Sequence, residues 1–184
     1  MNKSNDSFAD VANETNTAVI VKSFIDKMIP HHEEAITSSL KVMNDLDITE
    51  PKVRIFAANV VDTQSFEIER MKNIYTEYLG AEYVPAIVLD TKMTEHVMDK
   101  TEGLKGDVLA KVYTDQMIEH HEGAVKMAQD YMKLIDKVKK ASEKTENGLT
   151  VSNNHPAIES TYELAKQIIE VQEKEITQLK TWYK

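Results

Sequence analysis

The chain has 184 residues, of which 41% are hydrophobic and 29% are charged, a composition typical of one globular domain with a proper core. Its net charge of −9 argues against a nucleic-acid partner, because phosphate binding needs a basic surface. The chain has no cysteine, which excludes disulfides, thiolate metal sites and cysteine nucleophiles.

No stretch of the sequence approaches the roughly 20 apolar residues that a membrane-spanning helix needs. Residues 1–16 are polar and lack the apolar stretch of a signal peptide, and we predict a flexible N-terminal segment there. These features leave the cellular compartment open, and they leave open whether the protein forms a homo-oligomer.

The spacing of apolar residues predicts four helices. Helix one is predicted over residues 17–44. Helix two begins at Thr49-Glu50-Pro51, where a polar cap precedes a proline in the first turn, and it stops near Gly80. Helix three is predicted over about 107–141, and helix four begins at Pro156.

Residues 81–107 connect helix two to helix three. The apolar run 83–89 is predicted to be a crossover loop, because a single strand would have no partner. A short helix is predicted around residues 93–100. It carries a candidate secondary metal site made of Met93, His96 and Met98.

A motif in helix one returns 89 residues later in helix three. The segments 24–35 and 113–124 keep Asp, Met, His-His and Glu at the same offsets. Helices two and four also repeat each other, since each contains a Gln-x-x-Glu-Ile run with an alanine seven residues before the glutamine. We therefore predict an all-α protein, with internal repeats at about 17–80 and 107–184. Its two fused helical hairpins are predicted to pack as a four-helix bundle with a long crossover connection. The two hairpins together form one predicted domain over 17–184.

The repeated histidines lie on the apolar stripes of their helices. At 100° per residue, His32 and His121 fall near the centre of the stripe, and His31 and His120 fall at its edge. Met28 and Met117 precede the central histidines by one turn, on the same face. The inward-facing candidates for metal ligation are thus His31, His32, His120, His121, Met28 and Met117.

Helices two and four also place polar side chains on their inward faces. A buried polar group without a partner costs a few kcal/mol, so these groups must pair with the histidines or help to bind something. We expect them to orient the imidazoles from a second shell. They are Gln64, Glu67, Gln172 and Glu175.

The runs Met-Ile-Pro-His-His-Glu at 28–33 and Gln-Met-Ile-Glu-His-His-Glu-Gly-Ala-Val-Lys-Met-Ala at 116–128 closely resemble the DUF305 family over about residues 17–184. The resemblance implies a ferritin-like four-helix bundle, frequent export in bacteria and thus an extracytoplasmic location, and copper binding in some members. It places the four histidines, Met28, Met117 and Met127 at the family's histidine and methionine positions. In the first copy, the usual Gly-Ala-Ile-x-Met-Ala reads Glu34-Ala35-Ile36-Thr37-Ser38-Ser39, which lacks the glycine and the methionine.

The favoured hypothesis is a metal-binding protein, with imidazole and thioether ligands suited to copper, that acts in sequestration or handover rather than in turnover. Zinc or iron are alternatives at a histidine-rich site. A ferritin-like di-metal oxidoreductase is a second hypothesis, although such enzymes use Glu-x-x-His motifs and about four carboxylates. A third is a structural or interaction bundle whose histidines pair internally.

Overall fold

The computed structural model describes residues 16–84, 100–143 and 155–182. These residues form four helices, α1 (Thr17–Asn44), α2 (Pro51–Leu79), α3 (Gly106–Glu143) and α4 (Pro156–Leu179), and no strand lies within the described ranges. The predicted fold class, an all-α four-helix bundle, is confirmed. Apart from Asn16 and Lys100, the predicted N-terminal segment (1–16) and the predicted short helix (about 93–100) lie outside the described ranges.

The helix ends follow from local chemistry. Asn16 caps α1, where its side-chain oxygen accepts a hydrogen bond from the N–H of Ala18 at 3.0 Å. A proline occupies the first turn of both α2 and α4. Gly80 ends α2 in the left-handed conformation, with φ of 66°. The predicted ends of α1 and α2 and the predicted start of α4 therefore agree with the structure to within one or two residues.

The helices form two antiparallel hairpins, α1–α2 and α3–α4, that pack side by side. Helix α1 lies next to α3, and α2 lies next to α4. The α1–α3 pair is antiparallel, because Ser39 near the end of α1 contacts Tyr113 near the start of α3, whereas Phe24 stacks on Tyr131. The end of α2 and the start of α3 therefore lie at opposite ends of the bundle, as the predicted single long crossover requires.

The buried apolar side chains form two separate clusters along the bundle axis. The first cluster contains residues 20–29 of α1 and 124–138 of α3, with the matching parts of α2 and α4. The second cluster contains residues 53–60 of α2 and 109–117 of α3, with parts of α1 and α4. The level between them, which we call the central layer, is occupied by polar residues from all four helices: His31, His32, Gln64, Glu67, His120, His121, Gln172 and Glu175.

The start of the crossover is tied to the bundle. Tyr83 is nine-tenths buried, and its ring packs edge-on against Tyr75 with centroids 5.3 Å apart. Burial and the nearby carboxylates of Asp26 and Glu33 raise the pKa of Tyr83 to about 12.

Among the helices in the described part of the chain, none is both long and apolar enough to cross a bilayer.

The contact between Ser39 and Tyr113 should contribute measurably to the α1–α3 interface. The two hydroxyl groups are buried and lie 2.7 Å apart. Either Ser39→Ala or Tyr113→Phe leaves the other hydroxyl buried without its partner, so we expect each single variant to lower the free energy of unfolding in urea by about 1–3 kcal/mol.

The double variant Ser39→Ala/Tyr113→Phe is the control for this prediction. It should lose clearly less than the sum of the single losses, because no unpaired hydroxyl remains. Phe24, which occupies the place of Tyr113 in the first copy of the repeat, shows that a phenyl ring fits this kind of position. Strictly additive losses would contradict the prediction.

Candidate metal centre

The helix pair α1–α3 brings the four repeated histidines to the middle of the bundle. His32 and His121 are completely buried, as their position on the stripe predicts, and His120 is only 3% exposed. His31 is half-buried. The rings of His31 and His120, which are equivalent in the repeat, stack across the interface with centroids 3.7 Å apart. His120 is deeper than its edge position predicts, because α1 covers it.

The two deepest histidines each face a glutamate from the other helix of their own hairpin. Nε2 of His32 lies 2.9 Å from Oε2 of Glu67 and makes a hydrogen bond with it. Nε2 of His121 lies 2.8 Å from Oε2 of Glu175, although this contact lacks hydrogen-bond geometry. The two pairs are equivalent in the repeat. The predicted role of these glutamates beside the imidazoles thus has a direct geometric basis.

This arrangement fixes which ring nitrogen can accept an ion. A carboxylate without a proton can only accept a hydrogen bond, so with such a carboxylate at Glu67 the donor would be Nε2–H of His32. In that tautomer the lone pair of His32 is on Nδ1. Within the described ranges, Nδ1 of His32 and Nδ1 of His121 have no hydrogen-bond partner. Metal-binding histidines typically have this pattern, with one nitrogen held by a carboxylate and the other open to the ion.

The two glutamines of the central layer differ from the glutamates. Gln64 and Gln172 are each 2% exposed, and neither the amide oxygen nor the amide nitrogen of either side chain has a hydrogen-bond partner in the described part of the chain. The sequence predicts that they orient the imidazoles; among the described residues, the close contacts of His32 and His121 with carboxylates come from Glu67 and Glu175. Four unpaired amide atoms in a buried layer call for water or a ligand.

The two candidate methionine ligands lie on opposite sides of the central layer. Met28 and Met117 are both fully buried, and each lies one helical turn before a central histidine. Met28 belongs to the first apolar cluster and Met117 to the second. The thioethers therefore border the layer from above and below, in accord with the repeat.

A carboxylate that sequence reasoning did not select also reaches the layer. Oε2 of Glu34 lies 3.7 Å from Nε2 of His120. Glu34 stands where the second copy of the repeat has Gly123. The signal in the sequence is this departure from the repeat, in which a carboxylate stands in place of a glycine.

His120 is in a setting that keeps its ring neutral. Burial lowers the pKa of His120, and the charges of His121 and His32 act in the same direction, while Glu34 opposes them. A neutral imidazole retains a lone pair at neutral pH, which metal ligation requires.

The described residues contain no ready-made group of three or more His, Asp or Glu side chains placed to hold an ion. A metal ion in the central layer would therefore need a thioether, a water molecule or a small side-chain rotation to complete its ligands. The predicted secondary site at Met93, His96 and Met98 lies outside the described residues.

Solved structures share this fold. CopM in its Cu(I)-bound form is 28% identical, with a TM-score of 0.60 over 89% of this chain and 94% of that chain. CopM in its Cu(II)-bound form is 25% identical, with a TM-score of 0.62 over 89% and 95%. A DUF305 protein from Streptomyces coelicolor is 21% identical, with a TM-score of 0.61 over 87% and 89%, a likeness that concerns the fold alone.

None of the curated proteins compared with the chain is significantly similar to it. The sequence matches the family described as a domain of unknown function, DUF305, over residues 3–75 and 85–183. The match covers nearly the whole chain, in agreement with the resemblance of its doubled histidine motif. The protein therefore belongs to the DUF305 family.

Proposed function

We propose that the protein binds copper in the central layer and serves to sequester the ion or to hand it on. The observation that carries this proposal is the set of buried ring nitrogens in the layer that have no hydrogen-bond partner among the described residues: Nδ1 of His32, His120 and His121. The methionines on either side of the layer add soft ligands close to them.

Internal pairing of the histidines explains the layer less well. It accounts for His32, whose Nε2 is satisfied by Glu67. It does not account for Gln64 and Gln172, whose amide groups are buried in the same layer with no hydrogen bond to any described residue. Each such group costs about 1–3 kcal/mol, so a layer built only for stability would have placed apolar residues there.

The chemistry of the available ligands favours copper over harder ions. Imidazole is a borderline ligand and thioether is soft, a combination suited to Cu(I). Zinc would accept the imidazoles but gains little from the methionines. Structural similarity to CopM, solved with Cu(I) and with Cu(II) at 28% and 25% identity, supports the same choice.

The glutamates argue for holding an ion rather than for redox turnover. A di-iron carboxylate centre uses glutamates as direct ligands. Here Glu67 and Glu175 lie within 2.9 Å of the imidazole nitrogens, a distance at which a carboxylate supports a histidine. We therefore assign them the task of orienting His32 and His121, whose Nδ1 atoms are the proposed ligand atoms.

Replacement of the two deepest histidines tests the proposal. We expect the variant His32→Ala/His121→Ala to lose tight binding of Cu(I), because both principal ligands are gone. The measurement is a competition titration against a chromogenic Cu(I) chelator. With wild-type protein, copper at about 100 times its dissociation constant should also stabilise the fold by about 2.7 kcal/mol, and this gain should vanish in the variant.

His155→Asn is the matched control. His155 caps α4, where its Nδ1 accepts a hydrogen bond from the N–H of Ala157 at 3.2 Å, and asparagine is also a good cap. This variant removes a histidine far from the layer and should bind copper like the wild type. Unchanged copper affinity in the double alanine variant would refute the ligand assignment.

The glutamate partners generate a separate prediction. Glu67→Gln or Glu175→Gln keeps the side-chain volume but removes the charge that holds the Nε2 proton. We expect the affinity for Cu(I) to fall by about 10- to 100-fold in each variant, measured by the same competition titration. Glu173→Gln, at an exposed position on α4, is the control. Equal affinity in all three variants would show that the glutamates only stabilise the fold.

A further inference from the structure

We propose a second metal site on the α1–α3 face, in which Glu34 and His120 bind one divalent cation of the Zn²⁺ class. The site borders the central layer and shares the ring of His120 with it, but its ligand atoms are Oε2 of Glu34 and the other ring nitrogen, Nε2 of His120. Neither atom is one of the Nδ1 atoms on which the copper proposal rests.

The distance between the two ligand atoms is the main argument. At 3.7 Å, Nε2 of His120 and Oε2 of Glu34 are too far apart for a hydrogen bond. With metal–ligand distances of about 2.0–2.2 Å, two atoms 3.7 Å apart subtend an angle of roughly 120° at a shared ion. This is near the tetrahedral angle of about 109° that Zn²⁺ prefers. The gap therefore fits an ion between the two side chains.

The other glutamates of the layer provide an internal comparison. Glu67 and Glu175 approach their histidines to 2.9 and 2.8 Å, which leaves no room for an ion between carboxylate and ring. Of these three glutamates, Glu34 has the longest distance to its histidine, 3.7 Å. The glutamates of the layer thus have two distinct placements: two are at contact distance from a histidine ring, and the third leaves a gap between its carboxylate and the ring.

The histidine in this site is a buried polar group that lacks a hydrogen bond. His120 is 97% buried, the complement of its 3% exposure, and neither of its ring nitrogens has a hydrogen-bond partner among the described residues. A cation bound at Nε2 would satisfy one of these nitrogens. The carboxylate of Glu34 would supply the negative charge that a divalent ion needs in a buried setting.

The site is open enough to exchange ions with solvent. The side chain of Glu34 is 15% exposed, and His31, whose ring stacks on His120 at 3.7 Å, is half-buried. Because the described residues hold no ready-made trio of ligands, we assign the remaining coordination positions to water or to His31 after a rotation of its ring. Incomplete protein ligation of this kind is compatible with Zn²⁺.

The ligand set also predicts which ions the site rejects. A carboxylate oxygen is a hard ligand, and no thioether is part of the set, so monovalent soft ions such as Cu(I) and Ag⁺ gain little from it. The second copy of the repeat has Gly123 in place of Glu34 and offers no equivalent carboxylate. We therefore expect one Zn²⁺ per chain at this face.

Calorimetric titration of the metal-free, full-length chain with Zn²⁺ and, separately, with Ag⁺ tests the proposal. The informative variant is Glu34→Gln, which keeps the shape of a partly exposed side chain. Loss of a carboxylate that only supports a ligand already lowers metal affinity about 10- to 100-fold, so loss of a direct ligand should weaken Zn²⁺ binding at least about tenfold. The affinity for Ag⁺ should change less than twofold, within the small effects expected for a group outside the soft-ion site.

Glu33→Gln is the matched control, since Glu33 is the neighbouring residue and is exposed; it should bind both ions like the wild type. No Zn²⁺ binding by the wild type, or equal Zn²⁺ affinity in Glu34→Gln, would overturn the proposal. Loss of Zn²⁺ binding in His32→Ala/His121→Ala with retention in Glu34→Gln would also overturn it, by moving the zinc to the copper ligands. Absence of Ag⁺ binding with intact, Glu34-dependent Zn²⁺ binding would instead count against the copper site alone.

Discussion

The burial of a polar layer between two apolar clusters is the constraint on which the rest of this structure depends. On each helix, the apolar contacts above and below the layer fix the height of the polar side chains, so that His32, His121, Gln64 and Gln172 cannot reach bulk water without separating the helices. The folded chain therefore retains the desolvation penalty of these groups. Proteins keep such a penalty at sites that bind something more often than at sites that only pack.

The layer is also organised by charge. Carboxylates come from three helices, with Glu34 on α1, Glu67 on α2 and Glu175 on α4, and each lies beside an imidazole. Burial keeps the ring of His120 neutral by lowering its pKa. A neutral imidazole beside a carboxylate makes a setting that attracts cations and offers them a lone pair. The distances place the carboxylates in two groups, because two of them are within 2.9 Å of a ring nitrogen and the third is 3.7 Å away.

The periodicity of the sequence was sufficient for the helices and for the depth of His32 and His121, because both depend on one helix and its own stripe. It was insufficient for contacts between helices. The stacking of His31 on His120 depends on the antiparallel register of α1 and α3, which no single-helix pattern specifies. For the same reason the sequence could place Gln64 on the inward face but could not reveal that its amide group meets no described partner.

The two histidines that stack, His31 and His120, occupy the same place in the two copies of the repeat, so an approximate twofold axis passes between them. A dimer of two identical hairpins would carry every substitution on both sides of such an axis. In a single continuous chain, the two halves can differ in sequence at equivalent positions. It can have an acidic residue at 34 and glycine at 123, and so give the two equivalent imidazoles of the repeat different chemical neighbours.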